Sequence, residues 1–240
     1  MKEKNNDDSQ NPYENDLDLS ELKREGEILD ALEQNFQQAK NSPNPIETYK
    51  EIIEMERSNT KSVKFKFKSN VELAIIYIND NKESEFKDSI NIICELYKKI
   101  EESDKINAKD RLCSFIDSLP DIEEQIKLYE ILRDIFLENN LLNESFEFGI
   151  IICDKVLKNK KYNEYNKLLK TIIDDIEIYK NNNIARRIKI KLSEIEKQIE
   201  EENKKYNEDD SENSFEDNHD IKYLNFFVFL TVSKFLKKNA

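Results

Sequence analysis

Apolar residues recur every three or four positions along most of this chain, and the breaks between such runs are short and polar. The pattern is cleanest between Ile122 and Ile176. Ile122, Ile126, Tyr129, Leu132 and Phe136 form one stripe; Leu142, Phe146, Ile150, Cys153 and Leu157 form a second; Tyr162, Tyr165, Leu169, Ile172 and Ile176 form a third. That period belongs to amphipathic helices, and short polar breaks between them predict helices that fold back on one another.

Upstream, Ile28, Leu29, Leu32 and Phe36 open the first amphipathic turns, and Asn41 to Pro45 breaks them. Pro45 suits the first turn of a new helix, where its missing N–H costs nothing, and Ile46, Tyr49 and Ile53 give that helix its face. Val63 to Phe67 alternates as a strand would, but so short an alternation with no second strand to pair with makes no sheet, so the spacing predicts a helix over 63–79. Phe86, Ile90, Ile93, Tyr97 and Ile100 predict another over 84–101. A helix follows to about Ser118, Pro120-Asp121 signals the next start, and Ile184, Ile188, Leu192, Ile195 and Ile199 stripe a last helix over 184–203.

Equivalent helices are thus expected near 84, 121 and 161, the period of a two-helix repeat related to the tetratricopeptide and HEAT classes, without the full tetratricopeptide consensus. The expected fold is all-α, a right-handed stack of antiparallel helix pairs, that is, a tetratricopeptide/HEAT-like solenoid with disordered acidic ends. Four regions follow: a disordered acidic leader over 1–27, a helical-repeat domain over 28–203, an acidic linker over 204–220, and an apolar C-terminal segment over 221–240. Within the last, IKYLNFFVFLTVSKFL (221–236) is the one strongly apolar run, yet it carries Asn225, Thr231, Ser233 and Lys234 and falls short of the roughly 20 apolar residues of a spanning helix. A helix docked on the repeats, a tail anchor and the product of a misplaced gene end are all compatible with it.

Charge sharpens this division. The net charge of −13 is concentrated at the ends: residues 1–27 hold nine acids against four bases, and residues 207–220 hold seven acids and no Lys or Arg. The helical body is near neutral, which argues against nonspecific nucleic-acid binding through a broad basic field and leaves room only for a local basic patch. At 38% apolar and 37% charged residues, the interior is lean and the exterior heavily solvated. Cys94, Cys113 and Cys153 show no CxxC spacing, occupy inward-turning helix positions, and read as small core residues of a protein from a reducing compartment.

Chemistry is sparse. His219 is the only histidine and sits in the acidic linker, so no catalytic triad, Cys/His pair or histidine-based zinc cluster can be assembled. Gly26 and Gly149 are the only glycines, which excludes a glycine-rich phosphate loop. Glu123-Glu124 and Asp174-Asp175 are expected on solvated helix faces, where they lack the dry pocket that acid/base work requires. No enzyme activity and no cofactor are expected. The one suggestive cluster is Lys64, Lys66 and Lys68 interleaved with Phe65 and Phe67, which either presents ammonium groups to an acidic partner or rims a pair of inward phenylalanines. Arg186, Arg187, Lys189 and Lys191 form a second basic run, expected on the polar face opposite the isoleucine stripe.

PIETYKEIIEMER (45–57), VKFKFKSNVELAIIYI (63–78), DSINIICELYKKI (88–100) and FEFGIIICDKVLKNKKYNEYNKLLKTI (146–172) together resemble the N-terminal helical repeats of the signalosome complex subunit 2 family, with the related proteasome regulatory-lid non-ATPase subunit 11 as second choice. The likeness covers residues 30–176. Family members continue into more repeats and a PCI winged-helix module, so the chain is expected to be a truncated or divergent form. The resemblance implies a noncatalytic scaffold in the cytoplasm and nucleus, bound to other signalosome subunits and to a cullin-RING ligase, while a different, metalloprotease subunit performs the deneddylation. It further implies an inositol-polyphosphate contact, for which Lys68 matches a basic position of the family and Lys64 and Lys66 are its neighbours. Neither nucleic acid nor membrane is among the implied partners, though the tail-anchored adaptor stays open as an alternative.

Overall fold

The computed structural model describes residues 12–160, 162–178 and 183–209, and among them regular structure is helical without strands. The helices are α1 (Pro12–Ala39), α2 (Pro45–Asn59), α3 (Lys64–Asn79), α4 (Glu83–Leu96), α5 (Glu102–Ser118), α6 (Ile122–Glu138), α7 (Leu142–Asn159), α8 (Tyr162–Ile178) and α9 (Asn183–Asp209), with a 3-10 turn at Tyr97–Lys99. The all-α expectation holds, including a helix where residues 63–67 alternate. Starts at Glu83, Ile122 and Tyr162 give the repeat spacing read from the sequence.

Two boundaries differ. α1 begins at Pro12, well inside the expected disordered leader, because Pro at the first turn and a run rich in Leu and Glu favour helix even without an apolar stripe in the sequence. Over residues 23–39 of α1 the buried side chains are Leu32, Phe36 and Ala39. α9 runs to Asp209 instead of ending near 203, since its Glu/Lys-rich end continues good helix formers. Residues 1–11, the rest of the acidic linker with His219, and the apolar run 221–236 lie outside the described residues.

The chain divides into two compact units, Met1–Cys113 and Ser114–Ala240, with the boundary inside α5; the sequence pattern alone outlines one continuous repeat domain. In the first unit α1 packs on α2, α2 on α3 and α3 on α4. α3 is its centre: Phe65, Phe67, Val71, Leu73, Ala74, Ile75, Tyr77 and Ile78 are all buried, so α3 shows no single apolar stripe. The Phe36 ring meets both Tyr49 and Phe65 in tilted contacts, with centroids 5.6 Å and 6.2 Å away respectively.

In the second unit α7 packs mainly between α6 and α9, and more lightly on α8. Phe148 is its keystone, meeting the Phe136 ring edge-on at 5.2 Å and Tyr129 at 6.2 Å. Gly149 beside it brings the α7 backbone close to Ile188 of α9 and Ile172 of α8. Ile150, expected in the α7 core, is instead half-buried, because the buried face runs through Ser145, Phe148, Gly149, Ile152 and Val156 as well as Phe146 and Cys153. A helix packed on two sides buries a broader arc than one stripe, and its centre shifts accordingly.

Two helix hairpins close with the same device. After α3, Asn81 adopts φ 56° and the Lys82 N–H donates to Tyr77 O at 2.8 Å; after α6, Asn140 adopts φ 59° and the Leu141 N–H donates to Phe136 O at 2.9 Å. A left-handed asparagine ends the helix and its neighbours satisfy the last carbonyls, so each chain reversal takes three residues. Asp121 caps α6 as its Pro120-Asp121 signal predicts, accepting the Glu123 N–H at 2.9 Å.

Candidate interaction surface

The basic segment lies at the start of α3. Phe65 and Phe67 turn into the core while Lys64, Lys66 and Lys68 are half-buried around them. Two of the three lysines share one acid: Lys64 Nζ lies 3.7 Å from Asp104 Oδ2, and Lys68 Nζ lies 3.6 Å from Asp104 Oδ1. Asp104, on α5, is buried, while Lys64 keeps 45% of its side chain exposed. Lys68 also sits over the Phe65 ring, 5.8 Å from its centroid. Lys66 forms no ion pair among the described residues.

Two turns further along α3, Glu72 repeats the arrangement. Arg111 of α5 grips it side-on, donating through Nε and Nη2 to the two carboxylate oxygens at 3.2 Å each, and Lys40, just past α1, approaches Oε1 at 3.8 Å. Lys40 covers the Phe36 ring at 5.9 Å as Lys68 covers Phe65. The bidentate bond to Glu72 raises the Arg111 pKa. Beneath this cluster Tyr49 is buried, and burial, reinforced by the nearby Glu72, pushes its phenol up to about 12.

The N-terminus of α3, where an anion would find unpaired N–H groups, is already closed. Glu56 of α2, only 1% exposed, accepts the N–H of Phe65 through Oε1 at 2.9 Å and that of Lys66 through Oε2 at 2.6 Å. An anion drawn to Lys64, Lys66 and Lys68 therefore meets side-chain ammonium groups alone.

The second unit has its own charged cluster. Arg133 of α6 is 4% exposed, donates to Asp134 and faces Asp175 of α8 at 3.7 Å, with its Nη1 buried and unpartnered. Asp175 is thus turned inward, contrary to the solvated face expected for Asp174-Asp175; Asp174 is exposed. Burial raises the Asp175 pKa, Arg133 opposes the rise, and Asp134 and Asp174 add to it. Lys191 pairs with Asp154 and Glu194 at 3.2 Å each, and Arg186 and Arg187 are exposed.

Two of the three thiols are withdrawn. Cys153 is fully buried and its thiol is pushed up to about 12 by burial, Cys94 is buried, and Cys113 is half-buried instead of fully internal. Among the described residues no cluster of His, Cys, Asp and Glu could hold a metal ion. An open groove of about 540 Å³ between α1 and α2 is lined by Asn35, Gln38, Ser42, Thr48, Glu51, Ile52 and Met55, a mixed polar and apolar set in which the Ser42 and Thr48 hydroxyls hydrogen-bond to each other at 2.8 Å. No helix among the described residues is long and apolar enough to cross a membrane.

The partners of the lysines were not legible in the sequence. Asp104, Glu72, Lys40 and Arg111 reach the cluster across distances of about thirty to forty residues in sequence. The available signal was periodic: Lys64, Lys68 and Glu72 share one line of α3, and Asp104 and Arg111 share one line of α5. No protein-family model, curated protein or solved structure matches the chain.

Proposed function

We propose that this chain is a noncatalytic scaffold that binds partner proteins through its helical repeats. The observation that carries this reading is the recurrence of one construction: helix hairpins closed by the same asparagine turn, burying their apolar faces on neighbouring helices and leaving charged faces outward. Such repeats offer an extended surface in place of an enclosed pocket. The sequence resemblance supplies the partner identity, a signalosome-type complex with a cullin-RING ligase in the cytoplasm and nucleus, with Lys64, Lys66 and Lys68 at the partner or inositol-polyphosphate contact. In this reading the metalloprotease chemistry resides in another subunit.

Purification of the tagged full chain from its native cell, followed by quantitative mass spectrometry, tests the proposal. Signalosome subunits and a cullin recovered in near-equal amounts with the chain are the expected result. Proteasome-lid and ATPase-ring subunits in their place would favour the related lid scaffold, and recovery of the chain without a stoichiometric partner would contradict a scaffold role.

A further inference from the structure

We infer that the seam of α3, between the end of α1 and the Asp104–Arg111 stretch of α5, is a docking strip for an acidic segment of a partner protein. This rests on the scaffold reading and adds the chemistry of what the scaffold grips.

Four cationic heads, Lys40, Lys64, Lys68 and Arg111, are organised on two buried carboxylates, Glu72 and Asp104. The strip therefore carries a surplus of two positive charges in a protein whose net charge is −13. Each carboxylate is shared by two cations, so its pairing leaves one charge unbalanced at either end of the strip. Partial exposure of all four heads leaves the surplus available to solvent and to a partner: 45% for the side chains of Lys40 and Lys64, 27% for Lys68 and 53% for Arg111.

The heads are also held in place. Lys40 and Lys68 lie over the faces of Phe36 and Phe65, whose centroids are 6.2 Å apart, and Arg111 is fixed by two hydrogen bonds to Glu72. Side chains already ordered by internal contacts lose less freedom on binding than free surface lysines do. The buried acids thus act as pivots for a preformed cationic strip.

Geometry favours peptide carboxylates over a phosphate. Lys64 to Glu72 spans eight residues of α3, about 12 Å along the helix axis at 1.5 Å per residue, so the two surplus charges are spread along a line. A phosphate is best held by donors converging on one point, often with help from free helix N–H groups, and Glu56 has taken those of Phe65 and Lys66 at this end of α3. Acidic side chains two turns apart on a partner helix, or about four residues apart on an extended segment, match the spacing.

The test uses the full chain and a fluorescent, all-glutamate peptide, followed by anisotropy at low and moderate salt. Lys40→Gln with Lys64→Gln removes the surplus yet leaves each buried carboxylate one cation, so the fold is expected to survive, as an unchanged melting curve would show. The double variant should bind the peptide about tenfold more weakly and with a flatter salt dependence, whereas Lys158→Gln, at an exposed lysine of α7 outside the strip, should bind nearly as the parent does. If the double variant melts early, Lys64→Gln alone gives the same comparison with half the charge change. Equal binding by parent and double variant, an equal loss in Lys158→Gln, or displacement of the peptide by tripolyphosphate at lower concentration than by glutamate peptide would each overturn the inference. Native partners that copurify equally with parent and double variant would overturn the strip while leaving the scaffold intact; a parent chain that copurifies with none would instead overturn the scaffold.

Discussion

Glu56 of α2 accepts the backbone N–H of Phe65 at 2.9 Å, so the buried carboxylate of one helix caps the N-terminus of the next. Its second oxygen takes the Lys66 N–H at 2.6 Å, and Phe65 is thereby held against Phe36 in the core. A carboxylate at a helix N-terminus is favoured by the helix dipole as well as by the hydrogen bonds. Glu56→Ala strands one buried and one part-buried N–H group, and should cost about 1.5–3 kcal/mol, the range of hydrogen bonds to charged groups. Urea unfolding checks this: the midpoint should fall with little change in slope, and an unchanged midpoint would show that the cap is energetically idle.

The α7 core makes a graded prediction. Phe148 is 1% exposed and contacts two aromatic rings, whereas Ile150 is half-buried. Phe148→Ala should cost about 3–5 kcal/mol, as should Phe146→Ala, and Ile150→Ala should cost less than about 2 kcal/mol. Equal losses of stability at Phe148 and Ile150 in thermal melts would contradict the face assigned to α7.

Gly149 lies within α7 at a position where an added Cβ would meet Ile188 Cδ1 at 3.4 Å and Ile172 Cγ2 at 3.9 Å, both ordinary contacts. Gly149→Ala should therefore stabilise the chain by about 0.5–1 kcal/mol, through helix propensity. Gly149→Leu should destabilise it, because the larger side chain must displace both isoleucines. A lower melting temperature for Gly149→Ala would mean that α7 sits closer to its neighbours than these distances allow.

Asp175 predicts a pH effect with a definite sign. Its folded pKa lies above the ordinary 3.8, through burial first and the nearby Asp134 and Asp174, with Arg133 only partly offsetting them. Between the unfolded and folded values the native state binds more protons, so the contribution of Asp175 to stability is fully present below 3.8 and is lost as pH rises through the folded value. Measured against Asp175→Asn, the parent should gain relative stability as pH falls from 7 towards 4. A parent that loses relative stability over that range would show that the pair with Arg133 outweighs burial.

The helices were legible because their apolar spacing is local: Tyr129, Leu132 and Phe136 fall on one face of α6 and are all buried. The start of α1 was less so, since Pro12 to Ile28 forms helix by propensity with little apolar signal in the sequence. Ile150 and Asp175 were misplaced for a shared reason. A single stripe predicts a helix packed on one side, whereas α7 is packed on several and α6 reaches α8 through the buried Arg133. The lysines of α3 could be found as a cluster, but their internal partners depend on which helices become neighbours, which composition and periodicity do not specify.

Native mass spectrometry of the particle purified through a tag on the full chain tests the scaffold claim most directly, because it reads stoichiometry. The account predicts a particle much heavier than this chain, containing one copy of it together with different polypeptides that include signalosome subunits and a cullin, and disassembling in part as salt rises. A species with the mass of the single chain, or of copies of this chain alone, would contradict it.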